Sequence, residues 1–205
     1  MKTYTLFSAA LMLLFFTAFI APGDFTSLEI GKPTPKTEVK LMDVGGKNIS
    51  LAEATGKNGL LVVFSCNTCP FVIKNQGRIK AMTEYAAKNE FGVVVINSNE
   101  GQRDADDSFE AMKKYKADQQ FSGYYVVDKN SELANAFGAT HTPEIYLFGK
   151  SGTLVYKGAI DDSPRDETGV KQHFLKDAID QTVKGEIILF NSTKSVGCTI
   201  KRKDA

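Results

Sequence analysis

A chain of 205 residues with 25 lysines and arginines against 24 aspartates and glutamates is nearly neutral, its formal charge being +1. That balance excludes the basic footprint of a nucleic-acid binder and any strong attraction to an anionic surface. A domain of this size buries a core without disulfide staples, so the three cysteines are too few to be scaffolding and ask for a chemical explanation.

Lys2 followed by the almost wholly apolar run Leu6 to Ala21 predicts a secretory signal peptide over residues 1–23, with an uncleaved anchor as the alternative. On either reading residues 24–205 form one domain in an oxidising, extracytoplasmic space, periplasmic or secreted, where a cysteine pair can cycle through a disulfide. Val39, Leu41 and Val44, the pair Gly45-Gly46, then Ile49 and Leu51 predict an N-terminal hairpin with a glycine turn. Leu60 to Phe64 is a continuous apolar run with two valines, which suits a central strand covered on both faces. Pro70 opens a helix ending near Asn89, with Val72, Ile79, Met82 and Ala86 on one face. Gly77 inside it is read as a kink or a close packing contact.

Phe91 to Ile96 predicts a second buried strand, followed by the polar loop Asn97-Ser98-Asn99. A helix is expected from Asp107, with Glu110 completing a capping box and Phe109 and Met112 on its buried side. Tyr124 to Val127 is a third strand, and a short helix carrying Leu133 and Phe137 stops at Gly138. After Thr142-Pro143, the runs Ile145 to Phe148 and Leu154 to Tyr156 flank a turn at Ser151-Gly152 as an antiparallel hairpin. The last helix is expected over Glu167 to Lys184. A βαβ unit, a further helix and strand, a hairpin and a closing helix describe an α/β sandwich with a mixed sheet.

The chemistry gathers at Cys66-Asn67-Thr68-Cys69-Pro70, a strand-to-helix turn. Two cysteines separated by two residues in that setting are the pattern of a thiol redox site. The thiolate is the nucleophile, and unpaired amides at a helix start favour it. Proline suits the first helical position, so Pro70 makes Cys69 the N-cap and the more reactive thiolate. Cys198, the odd thiol, sits in a turn between Gly197 and Thr199 and is either a resolving cysteine or a shielded free one. His141 and His173 are read as polar or solvated side chains, and Asp161-Asp162 as turn and cap carboxylates without chemistry.

Five motifs in order, Cys66-Asn67-Thr68-Cys69-Pro70-Phe71-Val72, Ile96-Asn97-Ser98-Asn99, Thr142-Pro143-Glu144, Asp161-Asp162 and Gly197-Cys198-Thr199-Ile200-Lys201, resemble a peroxiredoxin-like subgroup of the thioredoxin-fold superfamily. The opening from Ile30-Gly31-Lys32-Pro33 to Leu51 is similar to the N-terminal extension of its alkyl hydroperoxide reductase and thiol-specific antioxidant (redoxin) branch. The resemblance implies a thioredoxin-like three-layer sandwich with a mixed central sheet and an N-terminal β-hairpin extension. It also implies that Pro143 follows a cis peptide bond beside the thiols, with Thr142 and Pro143 positioning an extended substrate. In thioredoxins the strand phenylalanine lies about five residues before the attacking cysteine; Phe64 lies five before Cys69 and only two before Cys66, so the pair is displaced by three positions.

Three activities follow from the resemblance. The first is an extracytoplasmic thiol-disulfide oxidoreductase cycling the Cys66-x-x-Cys69 pair between dithiol and disulfide. The second is a thiol peroxidase, an antioxidant, whose usual threonine position is occupied by Cys66 and whose peroxide-activating arginine has no match. The third is a copper or zinc carrier using Cys66, Cys69 and His141 or Cys198. The first two need a protein or small-molecule disulfide or a peroxide as substrate, a thiol reductant to recharge the site, and no cofactor. Membrane contact is expected only through an uncleaved leader.

Overall fold

Alternation along the strands decides how the chain folds. The computed structural model describes residues 25–203, so the expected leader at 1–23 lies outside the described residues. A seven-stranded mixed sheet runs through the middle. Its strands are β1 (Leu41–Asp43), β2 (Asn48–Ile49), β3 (Gly59–Ser65), β4 (Phe91–Asn97), β5 (Tyr124–Val127), β7 (Glu144–Gly149) and β8 (Leu154–Gly158), in the order β2-β1-β5-β4-β3-β7-β8. β6 (His141–Thr142) and β9 (Cys198–Thr199) form a separate antiparallel pair. β3, β4 and β5 are parallel, whereas β7 runs antiparallel to β3 with Phe64 opposite Glu144.

Period-two geometry sends successive side chains of a strand to opposite faces. Leu61 and Val63 of β3 and Val93 and Val95 of β4 enter one apolar cluster; Leu60, Val62 and Phe64 of β3 with Val94 and Ile96 of β4 enter the other. The first cluster is closed by Val72, Ile79 and Ala86 of α2 (Pro70–Lys88), Met112 of α3 (Phe109–Gln119) and Leu175, Ala178 and Ile179 of α5 (Phe174–Lys184). The second is closed by Leu51 and Ala54 of α1 (Leu51–Ala54) and Leu133, Ala134 and Phe137 of α4 (Glu132–Phe137). Helices on both faces of a mixed sheet make the three-layer sandwich that the element order predicts. Both faces of β3 are buried, which is why its sequence is apolar without alternation.

Four local expectations are corrected. Leu51 belongs to no hairpin strand: Ser50 and Glu53 form a reciprocal capping box, and the chain turns into α1. The N-cap of α3 is Ser108, whose Oγ accepts from the Ala111 amide, while Asp107 is fully buried and serves the active-site loop instead. The last helix begins at Phe174; residues 167–169 form only a short 3₁₀ turn. Gly77 is exposed on α2, and a Cβ there would meet nothing within 4 Å, so it marks no close packing contact.

α2 is fastened to the loop after β8 by a buried ion pair that the sequence reading did not find. Nη1 of Arg78 donates to both Asp161 carboxylate oxygens, at 2.7 and 2.6 Å, and to the Ser163 carbonyl at 2.8 Å. Asp161 is therefore more than a turn residue, although its Oδ1 also accepts from the Ser163 amide. Asp162 does keep the expected role, accepting from the amides of Lys171 and Gln172. No helix among the described residues is long and apolar enough to cross a membrane.

Candidate active site

The chain leaves β3 at Ser65 and enters α2 at Pro70, so the four residues between them lie at the carboxyl end of the parallel strands. Pro70 occupies the first helical turn and Cys69 is the N-cap, with no side-chain cap bond of its own. Cys69 thus stands at the start of a 19-residue helix, near the positive end of its dipole and without taking a cap bond from its amides.

Cys69 is joined to Cys198 in a disulfide spanning 129 residues, with the Cα atoms 6.0 Å apart. The expected pairing of Cys69 with Cys66 is not the one in the structure; Cys66 is free and buried. The physical reason lies in β9. Its antiparallel pairing sets Cys198 opposite Thr142, and Thr142 is the residue whose carbonyl oxygen lies 3.2 Å from Cys69 Sγ. In the chain-entropy picture a crosslink closing a loop of this length stabilises the fold by about 5 kcal/mol, by constraining the unfolded chain.

Cys66 faces the same loop: its Sγ is 3.3 Å from Thr142 Oγ1, and burial pushes its thiol up, partly offset by that hydrogen bond. Thr142-Pro143 is a cis peptide bond, as the resemblance implies. Glu144, almost buried, shapes the approach to it by accepting at Oε2 from the amides of Thr140 (2.8 Å) and His141 (3.0 Å), while Tyr146 donates to Oε1 at 3.0 Å. His141 stands opposite Thr199 with Nδ1 2.8 Å from Thr140 Oγ1. Among the described residues no group of three histidines, cysteines, aspartates or glutamates is arranged to hold a metal ion. His173 is the N-cap residue of α5 and makes no side-chain cap bond there.

A polar network that sequence reasoning missed fixes the Cys66-x-x-Cys69 turn. Asp107 Oδ1 accepts from the Asn67 amide (2.9 Å) and Asn97 Nδ2 (2.7 Å), and Oδ2 accepts from Asn99 Nδ2 (2.8 Å). Tyr125, its hydroxyl pushed well above the ordinary tyrosine range by burial, donates to Asn67 Oδ1 at 2.8 Å and accepts from Asn97 Nδ2 at 3.1 Å. The loop Asn97-Ser98-Asn99, polar in sequence, is buried because these partners satisfy it. Asn99 reaches further: its Oδ1 accepts from the Lys201 amide, linking the turn to the C-terminal segment. The clue in the sequence was a run of polar residues directly after an apolar strand, at the same sheet end as the cysteines.

Cys66, Cys69 and Cys198 share an open cavity of about 260 Å³ with Thr68, Gln102 and Lys201. A buried thiol and a disulfide at a helix start, both against a cis-proline loop, can exchange electrons with a sulfur or peroxide substrate that enters there.

Known proteins share this architecture. The Redoxin family matches residues 29–173. No curated protein matches the sequence. A structure described as an uncharacterized conserved protein from Geobacillus kaustophilus is 30% identical with a TM-score of 0.80, the match covering 86% of this chain and 94% of that one. A hypothetical protein from Sinorhizobium meliloti 1021 is similar to the same degree, 30% identical with a TM-score of 0.80, over 88% of this chain and 98% of that one. Peroxiredoxin Q from Xanthomonas campestris shares the fold at 19% identity and a TM-score of 0.53, over 77% of this chain and 96% of that one. With the matched segment running from the N-terminal extension through the cysteine turn and the cis-proline to the start of α5, the chain belongs to the redoxin family and is a thiol-based oxidoreductase of thioredoxin fold.

Proposed function

We propose that this protein is a thiol-disulfide oxidoreductase in which Cys69 attacks and Cys198, rather than Cys66, resolves. The observation that carries the reading is the placement of both sulfurs. Cys69 stands at the N-cap of α2, at the positive end of the helix dipole, and Cys198 is delivered to it by the backbone pairing of β9 with β6. In the reduced protein the Cys69 thiolate attacks a substrate disulfide, one substrate half leaves as a thiolate, and Cys198 then breaks the mixed disulfide. Cys66, buried with its thiol pushed up, is a poor nucleophile at neutral pH and acts as a packing and hydrogen-bonding neighbour of Thr142.

Among the described residues no arginine lines the cavity beside the sulfurs to polarise a peroxide, and Cys66 holds the position from which a threonine would assist; both favour disulfide exchange over peroxide reduction. The proposed setting is extracytoplasmic, supported by the apolar run Leu6 to Ala21 and by a disulfide that an oxidising space would sustain. The test compares reduction of a model disulfide with consumption of hydrogen peroxide under a dithiol reductant. Disulfide reduction lost in Cys69→Ser and kept in Cys66→Ser is expected; fast peroxide turnover without disulfide reduction would overturn the proposal.

A further inference from the structure

We propose that β9 is a tethered occupant of a peptide-docking edge, and that the substrate, on the reading just given, is an extended polypeptide disulfide of the form Gly-Cys-x-aliphatic. Strand addition at an exposed edge takes affinity from main-chain hydrogen bonds and selectivity from alternate side chains. The segment 197–202 is held in that manner. Ile200 donates its amide to the Thr140 carbonyl at 3.0 Å, His141 and Thr142 pair with Thr199 and Cys198, and Gly101 donates to the Lys201 carbonyl at 2.7 Å. Most of the chain after Gly185 is exposed or half-buried, whereas Ile200 is 2% exposed and packs into the second core cluster. Ile200 is thus the apolar anchor of a strand that otherwise lies on the surface, and Arg202 adds a polar one, donating Nε to Asn135 Oδ1 and Nη2 to the Ala139 carbonyl.

Two positions set what fits. A Cβ on Gly197 would lie 2.1 Å from the Thr142 carbonyl oxygen and 2.6 Å from its carbon, backbone atoms that cannot swing aside, so the residue before the reacting cysteine must be glycine. The residue two after it, at the Ile200 position, must bury an aliphatic side chain. Thr199, between them, is exposed and leaves its place open to any residue.

Reduction of Cys69–Cys198 by an external dithiol, which is itself oxidised to a disulfide, releases the covalent tie, and a substrate strand takes the place of β9 along β6. The Cys69 thiolate attacks the peptide's cysteine sulfur; a Cys69–peptide disulfide forms as the substrate's own S–S bond breaks, its former partner leaving as a thiolate. As β9 returns, the Cys198 thiolate attacks Cys69 Sγ, the mixed bond breaks, and the peptide leaves as a thiolate. Two electrons pass from the two protein thiols to the substrate disulfide, and the protons those thiols lose are taken up by the two product thiolates.

The experiment uses the full-length Cys66→Ser, Cys198→Ser protein, whose one thiol is Cys69. Its probes are synthetic peptides carrying the cysteine as a mixed disulfide with nitrothiobenzoate. One copies residues 195–201, a second replaces its glycine by valine, a third replaces its isoleucine by aspartate, and a small-molecule mixed disulfide serves as the reference. Release of nitrothiobenzoate from the copy is expected to outpace both altered peptides by about tenfold or more, since each change forfeits strand hydrogen bonds or the anchor. Equal rates for all three peptides, with normal reaction of the small disulfide, would overturn the docking proposal and leave the disulfide-exchange reading standing. No adduct on Cys69 with any of the four would overturn both.

Discussion

Asp107 carries the sharpest test of how the cysteine turn is held. The side chain is fully buried, and its two oxygens take three donors: the Asn67 amide and Asn97 Nδ2 on Oδ1, and Asn99 Nδ2 on Oδ2. Asp107→Ala strands all three. A hydrogen bond to a charged acceptor contributes about 1.5–3 kcal/mol, and since water from the adjoining cavity can reach part of the gap, the loss expected is about 3 kcal/mol rather than the full sum. Asp107→Asn retains one acceptor oxygen but sets an NH₂ against the Asn99 amide donor. Turning Asn99 over to accommodate it would withdraw Oδ1 from the Lys201 amide, so this variant should cost about 2 kcal/mol and speed hydrogen exchange at Lys201. Urea unfolding with the disulfide intact and an unchanged slope gives the number. A loss below about 1 kcal/mol in Asp107→Ala would refute the idea that this carboxylate organises the turn.

Cys66 makes stability fall with alkaline pH. Burial holds its thiol above the usual thiol value in the folded protein, so the unfolded chain releases that proton first as pH rises. The contribution is complete below the ordinary value and is lost as pH climbs through the folded one. Urea midpoints of wild type and Cys66→Ala should therefore diverge in slope only above the usual thiol range; parallel pH profiles there would contradict the assignment. At the buried ion pair, Asp161→Ala leaves the Arg78 guanidinium, 7% exposed, without its counter-charge and should cost about 3–5 kcal/mol. Asp161→Leu combined with Arg78→Met should recover most of it, and a double variant no more stable than the single would argue against a charge penalty.

The parts of this molecule that were legible in the sequence are those set by local pattern. β3 and β4 announce themselves as apolar runs because both faces of each are buried, and the Pro70 helix start follows from one residue whose missing amide suits a first turn. Long-range partners were not legible. Asp107 and Glu110 imitate a capping box, yet the cap passes to Ser108 because Asp107 is drawn inward by donors on Asn67, Asn97 and Asn99. The Arg78–Asp161 pair joins residues 83 apart in sequence, which no periodicity records. The cysteine pairing was legible only in part: Cys66-x-x-Cys69 is a local signal, whereas Cys198, a possible resolving cysteine in the sequence, reaches Cys69 only through the pairing of β9 with β6. Gly197, a plain turn residue in sequence, proves to be a spacing requirement against Thr142.

The central claim is that Cys69 and Cys198 form the working redox pair. It is tested most directly by reducing the protein, passing it through a single turnover with a stoichiometric disulfide substrate, blocking free thiols and mapping the new bond by peptide mass spectrometry. The account predicts a Cys69–Cys198 link with Cys66 alkylated only after unfolding. A Cys66–Cys69 link, with Cys198 free, would contradict it.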